Sequence, residues 1–484
     1  MNNVSEELQD KSLFHTDLFI DGKWQSTEKR FSVSNPANRT QIAEVAFANE
    51  TEIDDAIRAA HRAFVAWKKV DVAQRAKVLS RWCGLLHENK EDLGRLMNME
   101  QGKPYREAVG EIKYAASYLE YYSEEAKRIK GDLLSSPFAN AHTLVLKQPV
   151  GVVGIITPWN FPAAMFIRKV APALAAGCTC VVKPDERTPL TAYAIMELGR
   201  RAGLPPGVVN MITGDPPEIG KRLATHPKVA KISFTGSTQV GKLLMRWASG
   251  TVKRISLELG GNAPFIVFSD ADLEEAVKGL MLSKFRNSGQ TCICVNRVFV
   301  HASVIKPFAV LLEKAIHALK VGDSITDYDL GPLIDESAVH KVDRLVRGAC
   351  EAGAHLCCGG KRLKTDQLFY APTVLKGVTP DMDIFKEEIF GPVVTLIPFE
   401  AEEEVLEMAN NTPYGLASYF YTRDAGRIWR ISKELEYGMV GVNTGSISTA
   451  WAPFGGIKQS GFGREGSAYG MEEYLQIKYV NWHE

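Results

Sequence analysis

Cys292 and Cys294 stand one residue apart in NSGQTCICVN (287–296), in a chain that has eight cysteines. Two sulfurs at that spacing fit a metal clip, a disulfide, a pair of small buried residues, or a nucleophile with a neighbour. Three other clusters carry residue types suited to chemistry on a carbonyl. In PWNFP (158–162) the side-chain NH₂ of Asn160 could face a developing oxyanion, or Asn160 is simply a turn asparagine. FTGST (234–238) closes an apolar run and opens a helical one, so Gly236 and Ser237 could hold phosphate on free backbone N–H groups. A serine helix cap explains that stretch equally well. ELGG (258–261) sets Glu258 behind a buried run, as a general base or as a structural carboxylate at a strand end.

The elements that must position these groups form a regular series. Apolar, β-branched runs at 150–157, 178–182, 208–213 and 230–236 alternate with helical segments at 162–176, 189–203 and 217–225. Such alternation predicts a parallel, doubly wound sheet, which binds ligands at the carboxyl ends of its strands. Thr188 before Pro189 reads as a helix cap. Helical periodicity marks 53–70 and 73–96. A second alternating series from Cys294 to about Asn443 predicts another α/β domain, with strands near 295–300, 393–399 and 416–422. The segments 142–148 and 474–482 alternate like exposed strands, which often pair with another subunit.

Bulk properties narrow the classes. Lys+Arg and Asp+Glu both number 57, a balance unlike that of nucleic-acid binders. Residues 148–167 carry no charge and are long enough to span a bilayer, but Pro149, Pro158, Asn160 and Pro162 interrupt them, so a strand, a turn and a helix start are expected instead. With no signal pattern at the N-terminus, the expected location is the cytoplasm. The cysteines include no C-x-x-C, so neither structural zinc nor a secreted disulfide framework is expected, and no metal site is assigned. G-x-G-x-x-G occurs once, at Gly461–Gly466, with 18 residues left after it, too few for a βαβ unit; it reads as a glycine-rich loop.

PWNFP, KPDERTP, FTGST, ELGGNAP, GQTC, EEIFGP and PFGGIKQSG, in this order, resemble the aldehyde dehydrogenase superfamily, with phrases such as KFRNSGQTCICVNR and GIKQSGFGREGSAYG similar to those of succinate-semialdehyde dehydrogenases. The resemblance spans roughly residues 15–480. It implies a Rossmann-type nucleotide-binding domain (1–128 and 149–258), an α/β catalytic domain (259–445) and oligomerisation strands (129–148 and 471–484). It makes Cys292 the nucleophile, Asn160 the oxyanion donor and Glu258 the base that activates water. Cys294 then acts as a redox switch closing a disulfide on Cys292, or is only a small buried neighbour.

For the cofactor, the resemblance places Trp159, Lys183, Glu186, Gly236, Ser237, Glu388 and Phe390 around a nicotinamide dinucleotide. A carboxylate at Glu186 would chelate the ribose hydroxyls of NAD and repel the 2′-phosphate of NADP, and Asp185 reinforces it. Arg187 could instead reach a phosphate. NAD is the expected cofactor, with NADP as the alternative. For the substrate, Arg168, Arg286 and Ser448 match a carboxylate clamp, implying a small anionic aldehyde such as succinate semialdehyde. Ser446 and Trp451 depart from the usual aliphatic residues, so glutarate semialdehyde or sulfolactaldehyde fits the same clamp. The competing class is a cysteine hydrolase without nucleotide, yet no histidine lies within eight residues of Cys292. A homodimer or homotetramer is expected, with neither nucleic acid nor membrane as partner.

Overall fold

The computed structural model describes residues 4–322, 328–364 and 367–483; residues 1–3 and 484 of the expected terminal segments lie outside them. Its larger sheet has eight strands, in the order Gly461–Phe462, Arg254–Glu258, Val229–Thr235, Val152–Ile156, Thr179–Lys183, Val209–Met211, Leu18–Ile20 and Lys23–Gln25. The middle five pair in parallel. Chain order reverses between Val152–Ile156 and Val229–Thr235, so the turns after these two strands open a crevice at the topological switch point. Those turns are PWNFP and FTGST. The strand Val152–Ile156 and the helix Pro162–Ala176 occupy the uncharged stretch 148–167, and among the described residues no helix is long and apolar enough to cross a membrane.

Every residue of Pro162–Ala176 is buried, so this helix has no solvated face. Its first N–H groups are satisfied from outside: the Glu111 carboxylate accepts from Ala163 and Ala164 at 3.0 and 3.1 Å. The helix Pro189–Ala202 uses the same device. Thr188 makes no side-chain cap, and the buried Glu100 carboxylate accepts from Leu190 and Thr191 at 2.7 and 2.8 Å. The capping carboxylates come from a helical layer whose segment expected at 73–96 breaks at Asn89 into Val72–Glu88 and Lys90–Gln101, followed by Tyr105–Glu125.

The second sheet has seven strands, with Val295–His301 at its centre between Val393–Phe399 and Ala263–Val267. Arg254–Glu258 and Ala263–Val267 belong to different sheets, and only four residues separate them. The chain therefore crosses between sheets at ELGG. A third, antiparallel sheet joins Asp132–Leu134, Ala141–Pro149 and Leu475–His483. It leaves Leu133, Leu134, Ile477, Tyr479 and Trp482 exposed.

Candidate active site

Two connected clefts run along the switch point. One, about 410 Å³, is lined by Lys183, Glu186 and Trp247; the other, about 440 Å³, by Asn160, Cys292, Glu388 and Phe390. They share Pro158, Trp159, Arg187, Thr235, Gly236 and Ser237, which form the waist between them. A bipartite cleft of this size at a switch point suits a dinucleotide. Lys183 Nζ holds the Glu186 carboxylate at 2.7 Å. Trp159 meets Phe390 edge to face at 5.7 Å. Phe390 has φ +58, a left-handed conformation that a bulky side chain adopts only when its surroundings force it. Glu388 accepts from the Gly261 amide at 2.9 Å, and burial pushes its carboxyl up to about 7.

The phosphate reading of FTGST needs correction at Gly236. The Gly236 amide donates to the Glu258 carbonyl at 3.0 Å, so it is not a free donor, and the Ser237 hydroxyl caps its helix by accepting from Val240 at 3.3 Å. Both residues nevertheless line the waist. Arg187 also lies otherwise than a free phosphate ligand would: Asp185 takes it with two bonds of 2.8 and 3.0 Å, and Asp335 across the cleft with one of 2.9 Å.

Cys292 lines the 440 Å³ cleft on one side and, on the other, a tight pocket of about 20 Å³ with Phe161, Arg168, Arg286, Ser448 and Phe454. That pocket continues past Arg286 and Thr291 into a chamber of about 200 Å³ bordered by Ser446. Sulfur therefore sits where two approaches meet. Burial pushes its thiol up to about 12, with the carboxylates Glu388 and Glu258 acting the same way and Arg168 opposing them. Asn160 is 6% exposed and donates its side-chain amide to the Gln290 carbonyl at 3.0 Å, which leaves one N–H for another acceptor.

Glu258 ends its strand buried beside Gly455, and its Oε2 has no hydrogen-bond partner among the described residues. Burial first, then the neighbouring Glu465, raise its carboxyl well above the ordinary range. Glu465 itself pairs with both Arg168 and Lys169. Burial would raise the Glu465 carboxyl, but these two cations hold it below its ordinary value. The two clamp arginines consequently differ. Arg168 is 1% exposed, bound to Glu465 and stacked on Phe454 at 4.2 Å, whereas Arg286 makes no ion pair among the described residues and stacks on Phe161 at 4.6 Å. Glu465 was missed in the sequence because it lies inside the glycine loop dismissed as a false nucleotide motif.

Cys294 is 4% exposed and lies outside both clefts, its thiol donating toward the Val295 and Lys284 carbonyls at 3.5 and 3.7 Å. All eight cysteines are free thiols. The Cys294 amide closes a turn on the Thr291 carbonyl at 3.0 Å, and because Cys292 lines the clefts while Cys294 does not, a bond between the two sulfurs requires one side chain to swing toward the other.

A thiol at the meeting point of a bipartite cleft and a small cationic pocket is an arrangement suited to chemistry on a carbonyl compound. The chain belongs to the aldehyde dehydrogenase family, whose model matches residues 24–480. Within that family it is 54% identical to a mitochondrial succinate-semialdehyde dehydrogenase of Arabidopsis thaliana, over 99% of this chain and 91% of the relative. It is 52% identical to a 3-sulfolactaldehyde dehydrogenase of Pseudomonas putida, over 98% of each. A solved structure described as an Escherichia coli NADP-dependent enzyme superposes with a TM-score of 0.98 at 49% identity, covering 99% of this chain and 100% of that one.

Proposed function

We propose that this aldehyde dehydrogenase oxidises a small anionic aldehyde, succinate semialdehyde foremost, with NAD as acceptor and water as the final acyl acceptor. The observation that carries this reading is the position of Cys292, open on one face to the nucleotide cleft and on the other to a pocket holding Arg286 and Ser448. Both named relatives act on aldehydes that bear an anionic group.

The Cys292 thiol gives up its proton to solvent and Sγ attacks the aldehyde carbon, and the new alkoxide is held by Asn160 Nδ2 and the Cys292 backbone N–H. NAD, when bound, supplies the hydride acceptor. Trp159, Lys183, Glu186, Glu388 and Phe390 would hold it, with Gly236 and Ser237 shaping the waist. Loss of hydride from the adduct leaves a thioester on Cys292. Glu258 takes a proton from water as that water attacks the thioester, releasing the acid and restoring the thiol. The raised carboxyl of Glu258 makes it, once ionised, a stronger proton acceptor than an ordinary glutamate.

Arg286 is the principal anion contact, because the Arg168 charge is already shared with Glu465; Arg168 closes the pocket wall instead. NAD is favoured over NADP because Asp185 and Asp335 occupy the Arg187 guanidinium while Glu186 faces the cleft. The exposed apolar faces of the three-stranded sheet support a homodimer or homotetramer. Cys294 serves as a redox switch only if its thiol, or that of Cys292, swings toward the other.

The test is turnover of succinate semialdehyde and of neutral butanal, each with NAD and with NADP. The reading expects a higher kcat/KM for the anionic aldehyde and for NAD. Equal turnover of butanal removes the clamp assignment, and preference for NADP removes the Glu186 assignment.

A further inference from the structure

The oxyanion residue and the nucleophile lie 132 positions apart in sequence, on different elements, and must nevertheless meet one alkoxide with sub-ångström accuracy. The nucleophile loop begins with three successive left-handed residues, Asn287 (φ +49), Ser288 (φ +56) and Gly289 (φ +78). Asparagine tolerates that conformation, and backbone geometry alone would explain its presence. Glycine would serve the backbone equally well, so the side chain asks for its own explanation.

The side chain is 1% exposed and its hydrogen-bonding capacity is in use. Nδ2 donates to the Asn160 carbonyl at 3.0 Å and to the Gln290 carbonyl at 3.3 Å. Oδ1 accepts from Gln101 Nε2 at 3.0 Å, and the Asn287 amide donates to Glu107 at 2.8 Å. The same Gln290 carbonyl, two residues before Cys292, accepts from Asn160 Nδ2 at 3.0 Å. Two side-chain amides thus converge on one carbonyl, and one of them also grips the backbone of the other. Gln290 closes the figure by donating to the Asn287 carbonyl from its backbone at 3.0 Å and from Nε2 at 3.1 Å.

We propose that Asn287 is the positioning residue of the oxyanion hole: it ties the Asn160 main chain to the nucleophile loop and shares the Gln290 carbonyl with the Asn160 amide, so that the remaining Asn160 N–H is aimed at the alkoxide formed on Cys292. Lys103 Nζ supports the same Asn160 carbonyl at 2.9 Å and is anchored by Glu111, so the backbone of Asn160 keeps one tether without Asn287. What is lost without Asn287 is registration between donor and sulfur. The inference rests on the assignment of Asn160 as oxyanion donor.

The experiment is a double-variant cycle on the full-length enzyme with succinate semialdehyde and NAD, using Asn287→Gly, Asn160→Ala and both together. Glycine keeps the left-handed backbone and deletes the amide. Asn287→Gly is expected to lower kcat about 10- to 100-fold, with aldehyde KM and the NAD dissociation constant changed by less than about threefold. In the Asn160→Ala background the same change should cost less than about twofold, because the donor it aims is gone. Independent losses that multiply, or an effect confined to KM or nucleotide affinity, overturn the proposal. Asn287→Asp keeps the acceptor for Gln101 and the tolerated backbone but removes both donors, and should reproduce the kcat loss. Failure of both Asn287 variants to fold overturns it as well, since the side chain is then a part of the fold. A wild-type kcat in Asn160→Ala removes the oxyanion assignment itself and is read separately from the cycle.

Discussion

The enzyme without nucleotide should present Cys292 as a sluggish thiol. Burial, with Glu388 and Glu258 adding to it, places that thiol at about 12, against 9.0 for an ordinary cysteine. The difference corresponds to about 4 kcal/mol against the thiolate. At pH 8 roughly one sulfur in ten thousand is ionised, compared with about one in ten for an ordinary thiol. A thiolate of higher pKa attacks faster, by about 16- to 32-fold for this difference, so exchange with an aromatic disulfide reagent should be about 30- to 60-fold slower than at an ordinary exposed thiol. The assay follows release of the aromatic thiol from wild type and from Cys292→Ala, whose difference isolates the one sulfur, with peptide mass confirming the site. The logarithm of the difference rate should rise linearly with pH from 7 to about 10. A plateau below pH 9 would mean that Cys292 is already a thiolate before nucleotide binds, contrary to a thiol held up by burial. Arg168 is the main opposing influence.

Other consequences follow from the same geometry. Arg286→Met should raise KM for succinate semialdehyde about 10- to 100-fold while leaving butanal unchanged; equal effects on both aldehydes would deny it an anion contact. Arg168→Met should act chiefly on stability, lowering Tm and costing about 1–3 kcal/mol as the bond to Glu465 and the stack on Phe454 are lost while Lys169 keeps Glu465 paired, which chemical denaturation would read. Because the Glu258 carboxyl is raised in the folded chain, the folded state holds its proton to higher pH than the unfolded one. Its contribution to stability is complete below the ordinary carboxylate range and is lost as pH rises toward its folded value. Glu258→Gln should therefore lose less Tm than wild type as pH rises above the ordinary carboxyl value of 4.5, and an identical loss would contradict the raised carboxyl. Peroxide inactivation should be reversed by thiol in wild type; if Cys294→Ala recovers equally well, Cys294 is no switch.

Much of this was legible in the sequence where a local rule carries the message. Short β-branched runs separated by helical patterns gave the parallel strands, and turn motifs at their carboxyl ends pointed to the cleft, because period and turn chemistry are local. What escaped depends on contacts between distant segments. Nothing near Thr188 reveals that Glu100 caps its helix, and nothing near Ala163 reveals Glu111. The free amide expected at Gly236 is taken by a carbonyl on the neighbouring strand, a bond that only sheet register creates. Arg168 and Arg286 look alike as residues beside helices, and only packing separates the one paired with Glu465 from the one left for substrate. Asn287 was hidden differently: its place in the GQTC loop was in view, but a left-handed asparagine is ordinary in a turn, and its bond to Asn160 crosses 127 positions.

If the acyl group passes through Cys292 and is released by water that Glu258 activates, the acyl intermediate should accumulate when Glu258 is removed. The direct measurement is the mass of Glu258→Gln after mixing with succinate semialdehyde and NAD, followed by peptide mapping. A succinyl adduct is expected in stoichiometric yield on the peptide carrying Cys292, formed with a burst of reduced nicotinamide and slow to hydrolyse. Full turnover with no adduct, or an adduct on any other residue, would contradict it.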